Sequence, residues 1–308
     1  MADAPATPDS GALSVPRAHV VLWGALGGGL IGLLVLFGDL PLWDEADRSR
    51  AEDDTFGLWA AAIAAQTMVW VLAFPAIREI SRRRRTPEAA GSREVVWATA
   101  ALALVGLVVA VLPPLTGELP DTIPNRGLKT FILNVVAFAL AIYAARAMWF
   151  AVAELRALGS SRAAGLDALL LHRRLRGELQ LLLRVLGALV TLAVIASAAL
   201  RAFTASVDPD GALPAQAVVL YGVTLSLVLA LIYVPAHQTM LASGGALRER
   251  IAPLLPPGDP GFEGRLGLRD RIDSFLGLDV AATVSLRAAI AILSPLLGSL
   301  VSLVPDLG

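Results

Sequence analysis

Residues 214–235 read PAQAVVLYGVTLSLVLALIYVP, 22 consecutive residues without a single charge. As a helix this stretch is about 33 Å long at roughly 1.5 Å per residue, enough to cross a hydrocarbon core of about 30 Å. Lipid offers no partner to loose backbone amides, so such a run must be helical or belong to a closed barrel. A barrel strand would alternate apolar and polar residues. Here Leu225, Leu227, Val228, Leu229, Leu231 and Ile232 follow one another without alternation, which selects the helix.

The same pattern recurs upstream at Leu181 to Ala202, Phe131 to Val152, Val95 to Leu115 (closing on Pro113-Pro114), Phe56 to Ile77 and Val20 to Leu40. The predicted fold class is therefore all-α: a polytopic transmembrane helix bundle with six spans. Downstream, Ala288 to Val304 is uncharged but carries Pro295 at its middle. A run of this length is either a short seventh span or an interfacial helix. Only 17% of the 308 residues are charged and 56% are hydrophobic, against about 25% charged in soluble domains. Three regions follow: a disordered tail 1–19 rich in Ala, Pro, Asp and Ser, a six-helix membrane domain 20–236, and a cytoplasmic C-terminal region 237–308. Val20 to Leu40 reads as a span and not as a signal peptide, because its only preceding base is Arg17 and no small-residue cleavage site follows.

Charge orients the spans. Arg78, Arg82, Arg83, Arg84, Arg85 and Arg93 follow the second run, and Arg156, Arg162, Arg173, Arg174 and Arg176 follow the fourth. The segment after the first run carries Asp39, Asp44, Glu45, Asp47, Glu52, Asp53 and Asp54 against Arg48 and Arg50, and the segment after the fifth carries Asp208 and Asp210. The positive-inside rule places the arginine-rich loops and the N-terminus in the cytoplasm of a multi-pass cell-membrane protein.

Several activities are not expected. The net charge of −1 provides no global field for nucleic acid, and no aromatic residue interleaves Arg82 to Arg85 to stack on bases. With no cysteine, thiolate metal sites and a cysteine nucleophile are excluded. The histidines His19, His172 and His237 have no metal-ligand spacing. His172 reads as a solvated loop residue and His237 as the end of span six. Gly244-Gly245 and Pro256-Pro257-Gly258 read as hinge and turn signals. The acidic stretch 39–54 lacks the ordered pattern of a calcium loop and reads as a solvated loop. No cofactor and no enzymatic activity are expected.

Gly24, Gly28 and Gly32 recur every fourth residue and leave a groove for close helix packing, within the bundle or between subunits. Arg82, Arg83, Arg84 and Arg85 suit lipid headgroups. On a helix, Arg287, Ala291, Ser294, Gly298 and Ser302 form a small and polar stripe, for packing or for lining a water path with Arg287 at its mouth. Arg146, near the end of span four, reads as a snorkelling side chain. Leu166 to Leu183 reads as an amphipathic extension of the fifth helix, and Arg265 to Phe275 as a surface amphipathic helix at the interface. The leading expectation is a non-enzymatic, oligomeric channel or small-solute path with membrane lipids as partners. The alternative is a signalling or scaffolding protein that binds lipids or a cytoplasmic partner through its arginine loops and C-terminal region.

Overall fold

The computed structural model describes residues 18–83, 96, 99–100, 103, 106, 124–162, 165–209 and 214–278. Among them are seven α-helices: α1 (Ala18–Phe37), α2 (Glu45–Ala51), α3 (Asp54–Arg83), α4 (Arg126–Ser160), α5 (Leu166–Val207), α6 (Ala215–Ile251) and α7 (Phe262–Leu276). Five helical stretches are long and apolar enough to cross a membrane, the signature of a multi-pass membrane protein: His19–Leu42, Asp54–Arg83, Arg126–Ser160, Leu166–Val207 and Ala215–Ile251. The run Val95 to Leu115 and the segment Ala288 to Val304 lie outside the described residues, apart from isolated positions such as Gly106.

The packing order is α1 on α3, α3 on α5 and α4, and α4 on α5 and α6, with α5 and α6 also paired. α3 supplies the central face: Phe56, Trp59, Ile63, Thr67, Trp70, Ala73, Ile77 and Ile80 are buried at three- and four-residue spacing, the period that aligns side chains on one helix face. At one end, Phe203 of α5 contacts Phe56 at 5.1 Å and stacks on Trp59 at 6.1 Å between ring centroids. Phe37 and Trp43 close the same aromatic cluster against Phe56. Aromatic pairs at these separations contribute about 0.5–1.5 kcal/mol each beyond their burial.

Helix direction follows from the contacts. Gly24 lies by Leu72 and Gly32 by Ile63, so α1 and α3 are antiparallel. Lys129 at the start of α4 lies over Trp43, which packs on Phe56 at the start of α3, and Phe74 meets Tyr143 at 6.3 Å farther along both helices, so α3 and α4 run parallel.

The helices differ most from the sequence expectation in where they stop. α4, α5 and α6 have 35, 42 and 37 residues, or about 52, 63 and 55 Å at roughly 1.5 Å per residue. The apolar runs account for only part of these lengths. α6 continues through Pro235 to Ile251, so His237 lies within the helix and the Gly244-Gly245 pair is no hinge. A Cβ on Gly244 would stand 2.8 Å from a Leu278 side-chain carbon and 3.1 Å from the His172 ring; the glycine permits close approach. His172 is no solvated loop residue: it lies in α5, fully buried.

Beyond the apolar runs the three helices form a second, smaller core. Leu158, Ala168, Leu247, Ala252, Ile272 and Leu276 are buried together. α7 thus turns Ile272 and Leu276 onto α5 and α6, while Leu266 and Leu268 remain exposed.

Candidate functional site

Two polar clusters mark the two ends of the bundle. At the first, Lys129 near the start of α4 reaches across to the C-terminal end of α1. Its Nζ donates to Asp39 Oδ1 at 2.6 Å and to the Leu36 carbonyl at 2.8 Å. It also lies 5.0 Å from the centroid of the Trp43 ring. Trp43 Nε1 donates to Asp39 Oδ1 at 2.9 Å, and the Asn125 amide donates to Asp39 Oδ2 at 3.1 Å. Asn125 itself takes a left-handed backbone, φ 56°, a conformation its short polar side chain tolerates. The acidic stretch 39–54 is consequently not a plain solvated loop. Trp43 is buried, a short 3₁₀ turn spans Leu40–Leu42, and Asp44 and Asp47 close a reciprocal capping box at the start of α2.

Just before α3, the Asp53 carboxylate accepts from the Thr55 hydroxyl and from the Thr55 N–H at 2.7 Å. This is an N-cap arrangement. The hydroxyl first, then the amide, hold the Asp53 carboxyl below its ordinary 3.8. The Thr55 hydroxyl also meets Ser206 Oγ of α5 at 3.0 Å.

At the opposite end, arginines donate to backbone carbonyls. Arg250 of α6 donates to Leu158 O at 2.9 Å, to Gly159 O at 3.0 Å and to Ser161 O. Carbonyls at a helix C-terminus have no partner within the helix and carry partial negative charge, so a cation there satisfies both needs. Arg269 of α7 does the same for α6 through Ala252 O at 3.0 Å, and Arg176 for α7 through Leu276 O. Arg248 pairs with Asp273 at 2.8 Å, and Arg173 lies 4.9 Å from the Phe275 ring centroid. His172 Nε2 lies 3.1 Å from Met240 O, while its Nδ1 has no partner among the described residues. Together these contacts tie α4, α5, α6 and α7 into one unit.

The residues singled out from sequence fall into three places. Gly28 lies against α3, where a Cβ would come 2.7 Å from Met68 Cα and 2.9 Å from Thr67 O; Gly24 faces Leu72, and Gly32 faces Ile63, Ala64 and Thr67. The glycine groove thus holds a helix of its own chain. Arg82 and Arg83 pair with Glu79 at 3.2 and 2.6 Å. Arg84 and Arg85 lie outside the described residues, as does the whole stripe Arg287, Ala291, Ser294, Gly298 and Ser302. Arg146 is exposed, its guanidinium 5.4 Å from the Phe150 ring centroid.

Lys129, Trp43 and Arg250 belong to no local motif, and Asp39 reads in the sequence only as one of the acidic residues that orient the spans. One signal was available: Lys129 is the only lysine beside 24 arginines. A compact ammonium donates in three directions, whereas a guanidinium is a planar fork, and the pocket between Asp39, Leu36 O and Trp43 uses the compact shape. Among the described residues no three His, Asp or Glu side chains converge as a metal-holding group. No family model matches the chain, and neither a curated protein nor a solved structure does.

Proposed function

We propose that the chain is a non-enzymatic membrane scaffold with six spans, whose long helices carry a folded stalk into the cytoplasm for a partner protein. The supporting observation is the second core: α4, α5 and α6 outrun the membrane thickness, and α7 seals their ends with Ile272 and Leu276. Arginine-to-carbonyl bonds give that stalk a defined shape. Its exposed Leu166, Leu170, Leu254, Leu266 and Leu268 offer apolar anchors of the kind that partner contacts use.

The third span supports the same plan. α3 ends and α4 begins at opposite ends of a bundle in which the two run parallel, an arrangement that suits a further span between them. Gly106 of the Val95 to Leu115 run lies against Phe138, within the apolar part of α4. Orientation rests on the arginine loops. The test is site-specific photocross-linking in native membranes from positions 166, 266 and 268, with position 227 as the lipid-facing control. A discrete protein adduct from the stalk positions alone is expected; lipid adducts alone at all four would overturn the scaffold.

A second reading, an oligomeric permeation path, is favoured by the small and polar stripe Arg287, Ala291, Ser294, Gly298 and Ser302. Its test is ion flux through liposomes that contain the purified protein, together with oligomeric mass. Flux altered by Arg287→Glu would favour it; a silent monomer would remove it.

A further inference from the structure

Three exposed arginines, on three different helices, stand at nearly one depth. Arg78 of α3 lies 22 residues beyond Phe56, Arg184 of α5 lies 19 residues before Phe203, and Phe56 and Phe203 are in contact. Arg146 of α4 lies 17 residues beyond Lys129, which is bonded to Asp39 beside the same aromatic cluster. At roughly 1.5 Å per residue these offsets are about 33, 29 and 26 Å. A bilayer's hydrocarbon core is about 30 Å thick. With the Asp39 cluster at one surface, all three guanidinium groups therefore reach the opposite headgroup layer. α6 agrees: its exposed apolar residues run from Leu220 to Val234, and exposed Gln238 follows.

The neighbouring carboxylates are engaged elsewhere. Glu79 pairs with Arg82 and Arg83, and Glu178 pairs with Arg174 at 3.1 Å. Among the described residues no ion pair engages Arg78, Arg146 or Arg184. Three uncompensated cations sit where phosphate groups lie, and a guanidinium matches phosphate oxygens with paired donors.

We propose that Arg78, Arg146 and Arg184 form a collar that binds the phosphates of anionic phospholipids in the leaflet at the base of the stalk. This rests on the multi-pass reading above. The collar would fix the depth of the bundle, so that the second core stands clear of the membrane.

The test uses the full chain reconstituted in vesicles of phosphatidylcholine and phosphatidylglycerol at three to one. Electron spin resonance with spin-labelled lipids gives the relative affinity of the protein for each headgroup. Wild-type protein should favour phosphatidylglycerol, and the triple variant Arg78→Gln, Arg146→Gln, Arg184→Gln should lose that preference. Each site that loses its base should show about a fivefold fall, equivalent to ~1 kcal/mol per base near the surface. If the triple variant fails to fold, each single variant should show part of the fall. An undiminished preference in the variants would overturn the collar. So would a preference that disappears only in Arg82→Gln/Arg83→Gln, or one that inorganic phosphate displaces. Release of the chain from membranes by alkaline washing would instead end the multi-pass reading itself, whereas an inserted chain indifferent to headgroup ends the collar alone.

Discussion

Lys129 Nζ meets Asp39 Oδ1 at 2.6 Å, and the two side chains are only 7% and 16% exposed. The pair joins the end of α1 to the start of α4 across the mouth of the aromatic cluster. Removing Lys129 takes a charged donor from Asp39, at a cost of about 1.5–3 kcal/mol, while Trp43 and Asn125 still donate to the carboxylate. Lys129→Ala should therefore lower the melting temperature in detergent markedly. Asp39→Asn combined with Lys129→Met should recover part of the loss. Equal melting of wild type and Lys129→Ala would show that the pair contributes nothing.

The glycine groove supplies a paired control. Gly28→Leu must push against Met68 and Thr67 backbone, and overpacking of this kind costs about 1–3 kcal/mol. A Cβ at Gly27 meets nothing within 4 Å, and alanine is the better helix former by about 1 kcal/mol. Gly27→Ala should thus be neutral or stabilising while Gly28→Leu separates α1 from α3. Cysteine cross-linking between positions 24 and 72, feasible in a chain with no native cysteine, should fail in Gly28→Leu and persist in Gly27→Ala.

Arg250 anchors the C-terminal end of α4 through three carbonyls. Hydrogen bonds from a charged donor contribute about 1.5–3 kcal/mol. Arg250→Ala should raise hydrogen exchange in residues 157–169 and 247–276, while the Phe56–Phe203 end keeps its protection. Uniform exchange along the whole chain would show that the stalk does not open separately.

The cap at the start of α3 predicts a dependence on pH. The folded-state value of Asp53 is lowered, so its charge stabilises that helix start fully above the unfolded value near 3.8. The contribution declines as pH falls through the lower folded value. Amide protection at Thr55 and Phe56 should weaken only at the acid end of that window. In Asp53→Asn, whose side-chain oxygen still caps but does not titrate, the acid-dependent part should vanish.

Five of the long apolar helices were legible because lipid imposes one rule on every residue of a run. The ends of α4, α5 and α6 were not, because outside lipid a helix face is chosen by its neighbours. Gly244 looks like a hinge until the His172 ring is placed beside it, and His172 looks solvated until Met240 O appears within reach. Pairs such as Asp39 and Lys129 join distant parts of the chain, and no local pattern announces them. Only the odd lysine hinted that one position needed a different cation.

α1 packs on α3 and exposes Leu22, Trp23, Leu26, Leu30 and Leu34 along its outer side, and this has a consequence for biogenesis. During synthesis Asp39 emerges 90 residues ahead of Lys129. At roughly 5–20 residues per second that interval is about 5–18 s. Throughout it, the first hairpin must persist on glycine-to-backbone contact and aromatic packing alone. The ribosome thus delivers the fastening of the first helix well after the helix itself.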